Sequence, residues 1–367
     1  MNCKYFGICG SCIEYKDGYK DESDKKVAKF SELLGTKLEV FYSQPIHFRA
    51  RAEFRIWHEG DDISYAMGAI DKSKTITIDE CPKVDISIYN LMPKLLEAIK
   101  KYDLKHKLFG VDFLSVSSGE VLVSLLYHKK LSSEFLALAK TMADELGILL
   151  VCRSRGQKEV IKNDYVTEEL NIKNEKFYFR YIENSFTQPN RLVNEQMISW
   201  SIDKLSGIGG DLLELYCGAG NFTIPLSKSF SKVLATEISK SSIAAAKENM
   251  LLNSIENIEF LRLSAEDFVG AIDGLREYNR LRGVNLLSYN VKTIFVDPPR
   301  SGLDELTLEL VSRYEHILYI SCNPYTLQEN LQELLKTHTI EDMVAFDQFA
   351  YTPHLEIGVK LIKKSSL

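Results

Sequence analysis

The first half of the chain alternates short apolar segments with polar ones. Residues 14–35 place Val27, Phe30, Leu33 and Leu34 at helical spacing among many charges, which predicts an exposed amphipathic helix. From residue 38 to residue 182 the pattern predicts short strands interrupted by two helices, an α+β region without internal repeats. The predicted strands include 52–58, 64–70, 75–78, 113–116, 121–127 and 149–153, and the predicted helices are near 85–102 and 132–145.

From about residue 186 onward, predicted strands and helices alternate, which is typical of a parallel α/β sheet. The strands are 211–217, 232–237, 258–263, 291–297 and 316–322, followed by a closing pair at 339–349 and 356–364. The helices are 191–205, 222–230, 241–253, 265–272, 304–314 and 326–337. A parallel sheet with a closing antiparallel strand pair predicts an α/β, Rossmann-like fold of the class I methyltransferase type.

Composition and the N-terminus narrow the class of protein. A chain of 367 residues is long enough for two or three domains. It is 45% hydrophobic and 26% charged, and it has no uninterrupted apolar run of about 18 residues, so no transmembrane helix is expected. Residues 1–4 do not begin the apolar segment of a signal peptide. We therefore expect a cytoplasmic protein whose thiols stay reduced.

The distribution of charge favours local contacts with nucleic acid. The formal net charge is −6; residues 1–183 carry 28 basic and 28 acidic side chains, and residues 184–367 carry 17 and 23. RNA contacts are therefore expected from basic patches of the first half. The candidates are Arg49, Arg51, Arg55 and residues 105–107, 128–130 and 153–158. The predicted organisation is an N-terminal helical segment (1–40), an α+β RNA-binding domain (41–183) and the Rossmann-like domain (184–367).

A glycine turn follows the first strand of the second half. Residues 212–221 read Leu-Leu-Glu-Leu-Tyr-Cys-Gly-Ala-Gly-Asn, an apolar strand that runs into a Gly-x-Gly turn. Such turns let the backbone approach a ligand at the carboxyl end of a strand. Glu237 ends the next strand and can accept hydrogen bonds from both ribose hydroxyls. Because Asn221 replaces the third glycine of the dinucleotide fingerprint, S-adenosylmethionine is favoured over a nicotinamide cofactor; a structural turn is the alternative.

Two further strand ends carry candidate reacting groups. Residues 297–300 (Asp-Pro-Pro-Arg) follow one strand, and the two prolines stiffen the loop. Cys322 ends another strand just before a helix, whose N-terminus can lower the pKa of a thiol. A buried structural cysteine is the ordinary alternative. The position of Cys322 on the same sheet edge as Glu237 and Asp297 favours a nucleophile.

Together these motifs resemble the bacterial RNA uracil-5 methyltransferase family. The resemblance covers about residues 45–367. The segments that carry it are 185–190 (Ser-Phe-Thr-Gln-Pro-Asn), 213–221, 294–302, 321–324 and 346–356, with 51–58, 105–109 and 123–131 in the first half. It is closest to the branch that makes 5-methyluridine at position 54 of the tRNA T-loop. Ribosomal-RNA members usually carry an extra N-terminal barrel, for which this chain has no room.

The resemblance implies roles for particular residues. S-adenosylmethionine would be held by Gln188, Tyr216, Asn221, Glu237 and Asp297. Cys322 would be the nucleophile and Glu356 the general base. The RNA would be contacted by Arg51, Phe109, His128 and Arg300. The implied partner is tRNA through its T-loop, with rRNA or tmRNA as further substrates, and the enzyme is expected to act as a monomer.

The chemistry of carbon 5 of uracil explains why a thiol is needed. That carbon is too weak a nucleophile to attack a sulfonium methyl group. Addition of a thiolate at carbon 6 gives carbon 5 enolate character, and a base must later remove the carbon 5 proton. Glu356 is the candidate base, and His354 is a second one, although an imidazole in a loop more often makes structural or substrate hydrogen bonds.

Four cysteines depart from the best-known tRNA members of the family. Cys3, Cys9 and Cys12 have the spacing C-x5-C-x2-C, and Cys81 follows after 68 intervening residues. This pattern resembles the 4Fe–4S motif of the ribosomal branch, and four thiolates also suit zinc. A frayed N-terminus with incidental thiols is the alternative. If the cluster forms, it is expected to pin the N-terminus to the first domain.

Three other functions stay open at this point. A 23S rRNA uracil-5 methyltransferase would use the same chemistry on another RNA. An amino methyltransferase usually has an aromatic residue after Asp/Asn-Pro-Pro, where this chain has Arg300, and needs no cysteine. A non-catalytic RNA-binding or tRNA-folding protein would not need Cys322, Glu356 and the cofactor motif together.

Overall fold

A computed structural model describes residues 1–72, 74–276 and 278–365. Its helices are α1 Tyr19–Leu34, α2 Ile86–Lys101, α3 Ser133–Leu146, α4 Arg191–Leu205, α5 Thr223–Leu226, α6 Lys240–Leu252, α7 Ala265–Ile272, α8 Glu305–Val311 and α9 Pro324–Leu334. Its first ten strands are β1 Glu39–Phe41, β2 Arg51–Glu59, β3 Asp62–Gly68, β4 Thr75–Ile78, β5 Leu108–Ser115, β6 Val121–Tyr127, β7 Leu149–Ser154, β8 Gln157–Ile161, β9 Tyr165–Ile172 and β10 Glu175–Ile182. The later strands are β11 Asp211–Leu215, β12 Val233–Thr236, β13 Ile258–Leu261, β14 Val291–Val296, β15 His316–Ser321, β16 His338–Phe346 and β17 Glu356–Lys363. No helix of the described chain is long and apolar enough to cross a bilayer.

The second half forms the Rossmann-like sheet that the sequence predicts. Eight strands lie in the order β1-β16-β17-β15-β14-β11-β12-β13. The five neighbouring strands β15, β14, β11, β12 and β13 run parallel to one another. Strand β17 is antiparallel to both β15 and β16, which confirms the predicted closing pair. β11 is buried along its whole length, as strands covered by helices on both faces usually are. The parallel direction brings the carboxyl ends of these five strands to one edge.

The first half forms a separate seven-stranded sheet. Its strand order is β4-β3-β2-β5-β6-β7-β8. Helices α2 and α3 pack on it, and apolar residues of these helices and strands share one buried core. The helix boundaries agree with their caps, since Asp85 accepts a hydrogen bond from the backbone of Ser87 at the start of α2, and Ser132 from Phe135 at the start of α3.

Three features depart from the expected organisation. The sequence pattern predicts short strands up to residue 182 but does not delimit β8, β9 or β10. The hairpin of β9 and β10 shares a core with the second half of the chain, since Leu170 and Phe179 are buried with Met197 of α4. Strand β1 spans the predicted boundary at residues 40 and 41. It pairs in parallel with β16 and so becomes the eighth strand of the Rossmann-like sheet.

Candidate active site

Most of the predicted site residues lie along one edge of the Rossmann-like sheet. Tyr216 follows β11, Glu237 follows β12, Asp297 follows β14 and Cys322 follows β15. Because these four strands are parallel neighbours, their carboxyl ends meet. Glu356 begins the antiparallel strand β17 and therefore lies at the same edge.

The glycine turn is hydrogen-bonded to the side chain of Glu237. One carboxylate oxygen of Glu237 accepts a hydrogen bond from the backbone N–H of Gly218 at 3.2 Å, and the other accepts from Ser239 at 2.7 Å. Tyr216 has a left-handed backbone with a φ of 64°, which is uncommon for a residue with a side chain. Gly220, with a φ of 85°, also needs this region. The turn is thus a specific, partly strained conformation of the kind found at ligand sites.

Two amide side chains of the predicted cofactor site are held by partners on other elements. Asn221 exchanges hydrogen bonds of 2.8 and 2.9 Å with Asn194 of α4. The side-chain oxygen of Gln188 accepts a hydrogen bond of 2.7 Å from Gln348, which is fully buried. These contacts fix α4, the segment before it and the loop after β16 relative to the glycine turn.

The strand register brings Cys322 and Glu356 to the same end of β15 and β17. Ser321 of β15 pairs with Ile357 of β17 in antiparallel register. Cys322 and Glu356 adjoin this last pair, and the charge of Glu356 acts on the Cys322 thiol. Glu356 is buried, and its Oε2 atom has no hydrogen-bond partner in the described part of the chain. An unpaired buried carboxylate oxygen beside a thiol suits proton transfer with a bound substrate.

The electrostatics of this pair differ from one expectation. The helix after Cys322 was expected to lower the pKa of the thiol. Burial raises the pKa of Cys322 to about 11, and the charges of Glu356 and Asp297 act in the same direction, while Arg300 acts against them. The expectation of a lowered pKa is therefore wrong for the protein without substrate, because loss of solvation outweighs the start of α9.

Three carboxylates converge on this edge. Burial raises the pKa of Glu356 well above its ordinary value; the charge of Asp297 adds to this, and Arg300 opposes it. Burial raises the pKa of Asp297 to about 7. Glu214 of β11 is fully buried, and its pKa is raised by burial and then by Asp297. Arg300 is the cation that acts on Cys322, Glu356 and His354.

His354 lies beside these groups, in surroundings that favour the neutral imidazole. Burial lowers its pKa, and the positive charges of Arg300 and Lys26 lower it further. Its ring lies edge-on to Phe349 with centroids 6.1 Å apart. A neutral imidazole there can exchange a hydrogen bond with a substrate, in line with the secondary role given to His354 by the sequence.

The predicted RNA contacts of the first half lie in two places. Phe109 and His128 stack with ring centroids 3.9 Å apart and planes 12° apart. Both line an open groove of about 880 Å³ together with basic side chains. Those side chains are Lys129, Lys130, Arg153 and Arg155. Arg51 lies elsewhere, in a cavity of about 450 Å³ that Arg300 also lines, and it donates hydrogen bonds to the backbone of Ser185 and to Glu53.

The four N-terminal-domain cysteines come together around one small cavity. Cys3, Cys9, Cys12 and Cys81 all line it, and all four thiols are free. Within the described ranges, however, no group of three or more His, Cys, Asp or Glu side chains is arranged to hold a metal ion. The donor chemistry therefore suits a cluster while the present arrangement does not form one, so metal binding stays a prediction.

Comparison with known proteins settles the family. A family model described as tRNA (Uracil-5-)-methyltransferase matches residues 14–364. The chain belongs to the tRNA (uracil-5-)-methyltransferase family. Its relatives include a protein of Sulfurimonas denitrificans named tRNA/tmRNA (uracil-C(5))-methyltransferase, which is 58% identical over 99% of this chain and 100% of the relative. A protein of Nitratiruptor with the same name is 51% identical, again over 99% and 100%.

A solved structure confirms the fold class of this family member. The tRNA (uracil-54, C5)-methyltransferase of Pyrococcus abyssi, in complex with S-adenosyl-L-homocysteine, superimposes with a TM-score of 0.73. The two proteins are 22% identical, and the match covers 94% of this chain and 84% of the other. The similarity confirms the Rossmann-like methyltransferase domain.

Sequence reasoning missed three residues that shape the site of this uracil-5 methyltransferase family member. Glu214 interrupts an apolar strand, and a carboxylate in such a strand is itself a signal, since an unpaired buried charge is costly. Gln348 lies within the 346–356 motif, yet its contact with Gln188 spans 160 positions. Asn194 gave no signal, because asparagine is common on helix surfaces.

Proposed function

We propose that this protein transfers a methyl group from S-adenosylmethionine to carbon 5 of uridine 54 in tRNA. The observation that supports this most is the register of β15 and β17, which brings Cys322 and Glu356 to the same end of the two strands. Membership of the tRNA (uracil-5-)-methyltransferase family agrees with it. A thiol facing a carboxylate is the pair that carbon 5 methylation needs, since one group must add to carbon 6 and another must take the carbon 5 proton.

Five side chains would hold the methyl donor, which supplies an electrophilic methyl group when bound. They are Gln188, Tyr216, Asn221, Glu237 and Asp297. Glu237 suits the ribose because its two carboxylate oxygens are already oriented by backbone N–H groups. Asn221 and Gln188 are held in place by Asn194 and Gln348, so little side-chain entropy is lost when a ligand binds.

The first chemical step is addition of the Cys322 thiolate to carbon 6 of the uracil. A new carbon–sulfur bond forms, and the electron pair of the 5,6 double bond moves toward the carbonyl at carbon 4. Arg300 would stabilise both the thiolate and the enolate oxygen, since its charge opposes the rise in the pKa of Cys322. Carbon 5 would then attack the methyl group of the donor, the sulfur–methyl bond would break, and the donor would leave as S-adenosylhomocysteine with that electron pair.

The second step is removal of the carbon 5 proton. Glu356 takes this proton, the 5,6 double bond forms again, and the carbon–sulfur bond breaks to release the thiolate. The raised pKa of Glu356 makes its carboxylate a stronger base than an exposed glutamate. Burial of Glu356 also keeps water from competing for the proton.

We propose tRNA as the main partner, bound through its T-loop, and tmRNA as a second RNA, as the relatives' names suggest for them. Phe109 and His128 would stack on unpaired bases, and Arg51 would help to hold the loop. The protein is proposed to act as a monomer in the cytoplasm. Cys3, Cys9, Cys12 and Cys81 are proposed to bind a 4Fe–4S cluster that ties the N-terminus to the first sheet; no step of methyl transfer depends on it.

The proposal is tested by methyl transfer from labelled S-adenosylmethionine to a tRNA transcript, beside the same transcript with uridine 54 changed to cytidine. Label should enter the first transcript and be absent from the second. Label in both transcripts would refute position 54 as the target. Label in 23S rRNA but in neither tRNA would assign the protein to the ribosomal branch.

A further inference from the structure

The cavity that Arg51 and Arg300 line contains a cation that the proposed reaction does not use. The cavity has a volume of about 450 Å³. It lies between β2, the turn before α2 and the loop between β16 and β17. Arg49 lines it, and burial lowers the pKa of this guanidinium.

The backbone of Arg49 is held from both halves of the protein. Its N–H donates to the carbonyl of Lys83 at 3.0 Å, and its carbonyl accepts from Asp85 at 2.7 Å. The backbone of Arg49 also forms isolated β-bridges with Val84 and with Asn190. A side chain on such a fixed backbone points to one place, which is useful for a binding residue and unnecessary for a solvated charge.

The guanidinium of Arg49 forms no hydrogen bond or ion pair with any residue that the structure describes. Its neighbours do not neutralise it. Lys83 is buried in the same cavity and donates to Ser11, and Arg51 already pairs with Glu53, the one carboxylate among the described lining residues. A half-buried, unpaired cation beside a buried lysine is costly unless an anion occupies the cavity during function.

We propose that Arg49, supported by Lys83, binds a backbone phosphate next to the target uridine. This inference rests on the proposed function. Arg300 lines the same cavity and acts electrostatically on Cys322, so a strand whose base reaches Cys322 brings its adjoining phosphodiester to this cavity. A planar guanidinium matches two oxygens of a phosphate, and the ammonium of Lys83 adds a point charge.

The test measures the affinity of the full-length protein for a tRNA transcript over a range of salt concentrations. Arg49→Met should weaken binding by about 10- to 100-fold at moderate salt. It should also reduce the slope of log K against log salt by about 0.7 to 0.9, the value for one lost phosphate contact. Arg49→Lys should keep the wild-type slope. Lys94→Met, an exposed change on α2, is the matched control and should change neither quantity.

Replacing one phosphate of the RNA by an uncharged methylphosphonate distinguishes loss of the Arg49–phosphate contact from misfolding of the Arg49 variant. Oligonucleotides with the T-loop sequence would carry one methylphosphonate, placed immediately 5′ or 3′ of the target uridine. One of the two should weaken binding to the wild type and have no further effect on Arg49→Met. Equal losses with both proteins, or an unchanged salt slope in Arg49→Met, would overturn the phosphate site. Failure of the wild type to bind any tRNA would instead overturn the proposed function.

Discussion

The Nζ atom of Lys26 lies 2.6 Å from Oδ1 of Asp347, and the two side chains are only 3% and 0% exposed. The same ammonium donates to the carbonyl of Thr352 at 3.0 Å. Asp347 begins the loop that ends at Glu356, so a charge on α1 holds the segment that positions the proposed base. Helix α1 therefore supports the segment that carries Glu356.

Replacing Lys26 by methionine should destabilise the protein. The change leaves the carboxylate of Asp347 buried without its cation, which typically costs about 3 to 5 kcal/mol. The free energy of unfolding, measured by urea denaturation, is the check. Lys29→Met, an exposed change one turn later on α1, is the control and should stay within about 0.5 kcal/mol of the wild type. Equal stability of the Lys26 and Lys29 variants would contradict the role of the buried pair.

The reactivity of Cys322 should depend on Glu356. In the free protein the pKa of Cys322 is raised to about 11, so alkylation of this thiol by iodoacetamide should be slow near neutral pH and should rise steadily up to that pH. Glu356→Gln removes a negative charge that raises this pKa, so the alkylation curve should move to lower pH. Peptide mass spectrometry at pH 8 to 11 reports the rate at Cys322 alone.

The matched control for that measurement is Glu53→Gln, an exposed carboxylate of the first sheet. It should leave the alkylation curve of Cys322 in place. A curve that stays unchanged in Glu356→Gln as well would mean that the two side chains are not close neighbours in solution.

The stacked pair in the open groove should contribute to binding of RNA rather than to chemistry. Phe109→Ala removes a ring on which a base can stack, and such contacts are worth about 1 to 3 kcal/mol per base. The KM for tRNA should rise by about 5- to 100-fold while kcat changes little. Tyr178→Ala, at an exposed aromatic side chain on β10, should leave both constants unchanged. A fall in kcat with an unchanged KM would place Phe109 outside the binding surface.

The four-cysteine cavity makes a prediction that does not involve methyl transfer. Protein prepared without oxygen should contain iron and acid-labile sulfide and absorb near 400 nm if Cys3, Cys9, Cys12 and Cys81 bind a cluster. Cys9→Ser should lose the iron, whereas Cys152→Ala, at a buried thiol elsewhere in the first domain, should retain it. Metal-free wild-type protein from an anaerobic preparation would rule the cluster out.

Much of the site could be predicted because its residues stand at strand ends. Glu237, Asp297 and Cys322 each follow an apolar strand, and parallel strands bring such positions together whatever the details of packing. Cys322 and Glu356 are 34 positions apart, and only the register of β15 and β17 brings them to the same end of the sheet, which no local pattern specifies.

Other features depend on contacts that local patterns do not show. Strand β1 has three residues, and its place is determined by its partner β16 rather than by its own composition. The direction of the pKa shift of Cys322 was predicted wrongly, because burial at that position is a property of the packed site and outweighs the helix. In contrast, the alternating apolar residues of β9 were a usable strand signal.

The central claim is that Cys322 forms a covalent bond to the target uridine and Glu356 later resolves it. The most direct measurement uses tRNA that carries 5-fluorouridine at position 54, with S-adenosylmethionine. Fluorine cannot leave as a proton does, so the methylated adduct should persist as a band that survives denaturing electrophoresis. The wild type should give this band, Cys322→Ala should not, and Glu356→Gln should give it even with ordinary tRNA. A band of equal intensity from Cys322→Ala, with peptide mapping to another residue, would contradict the account.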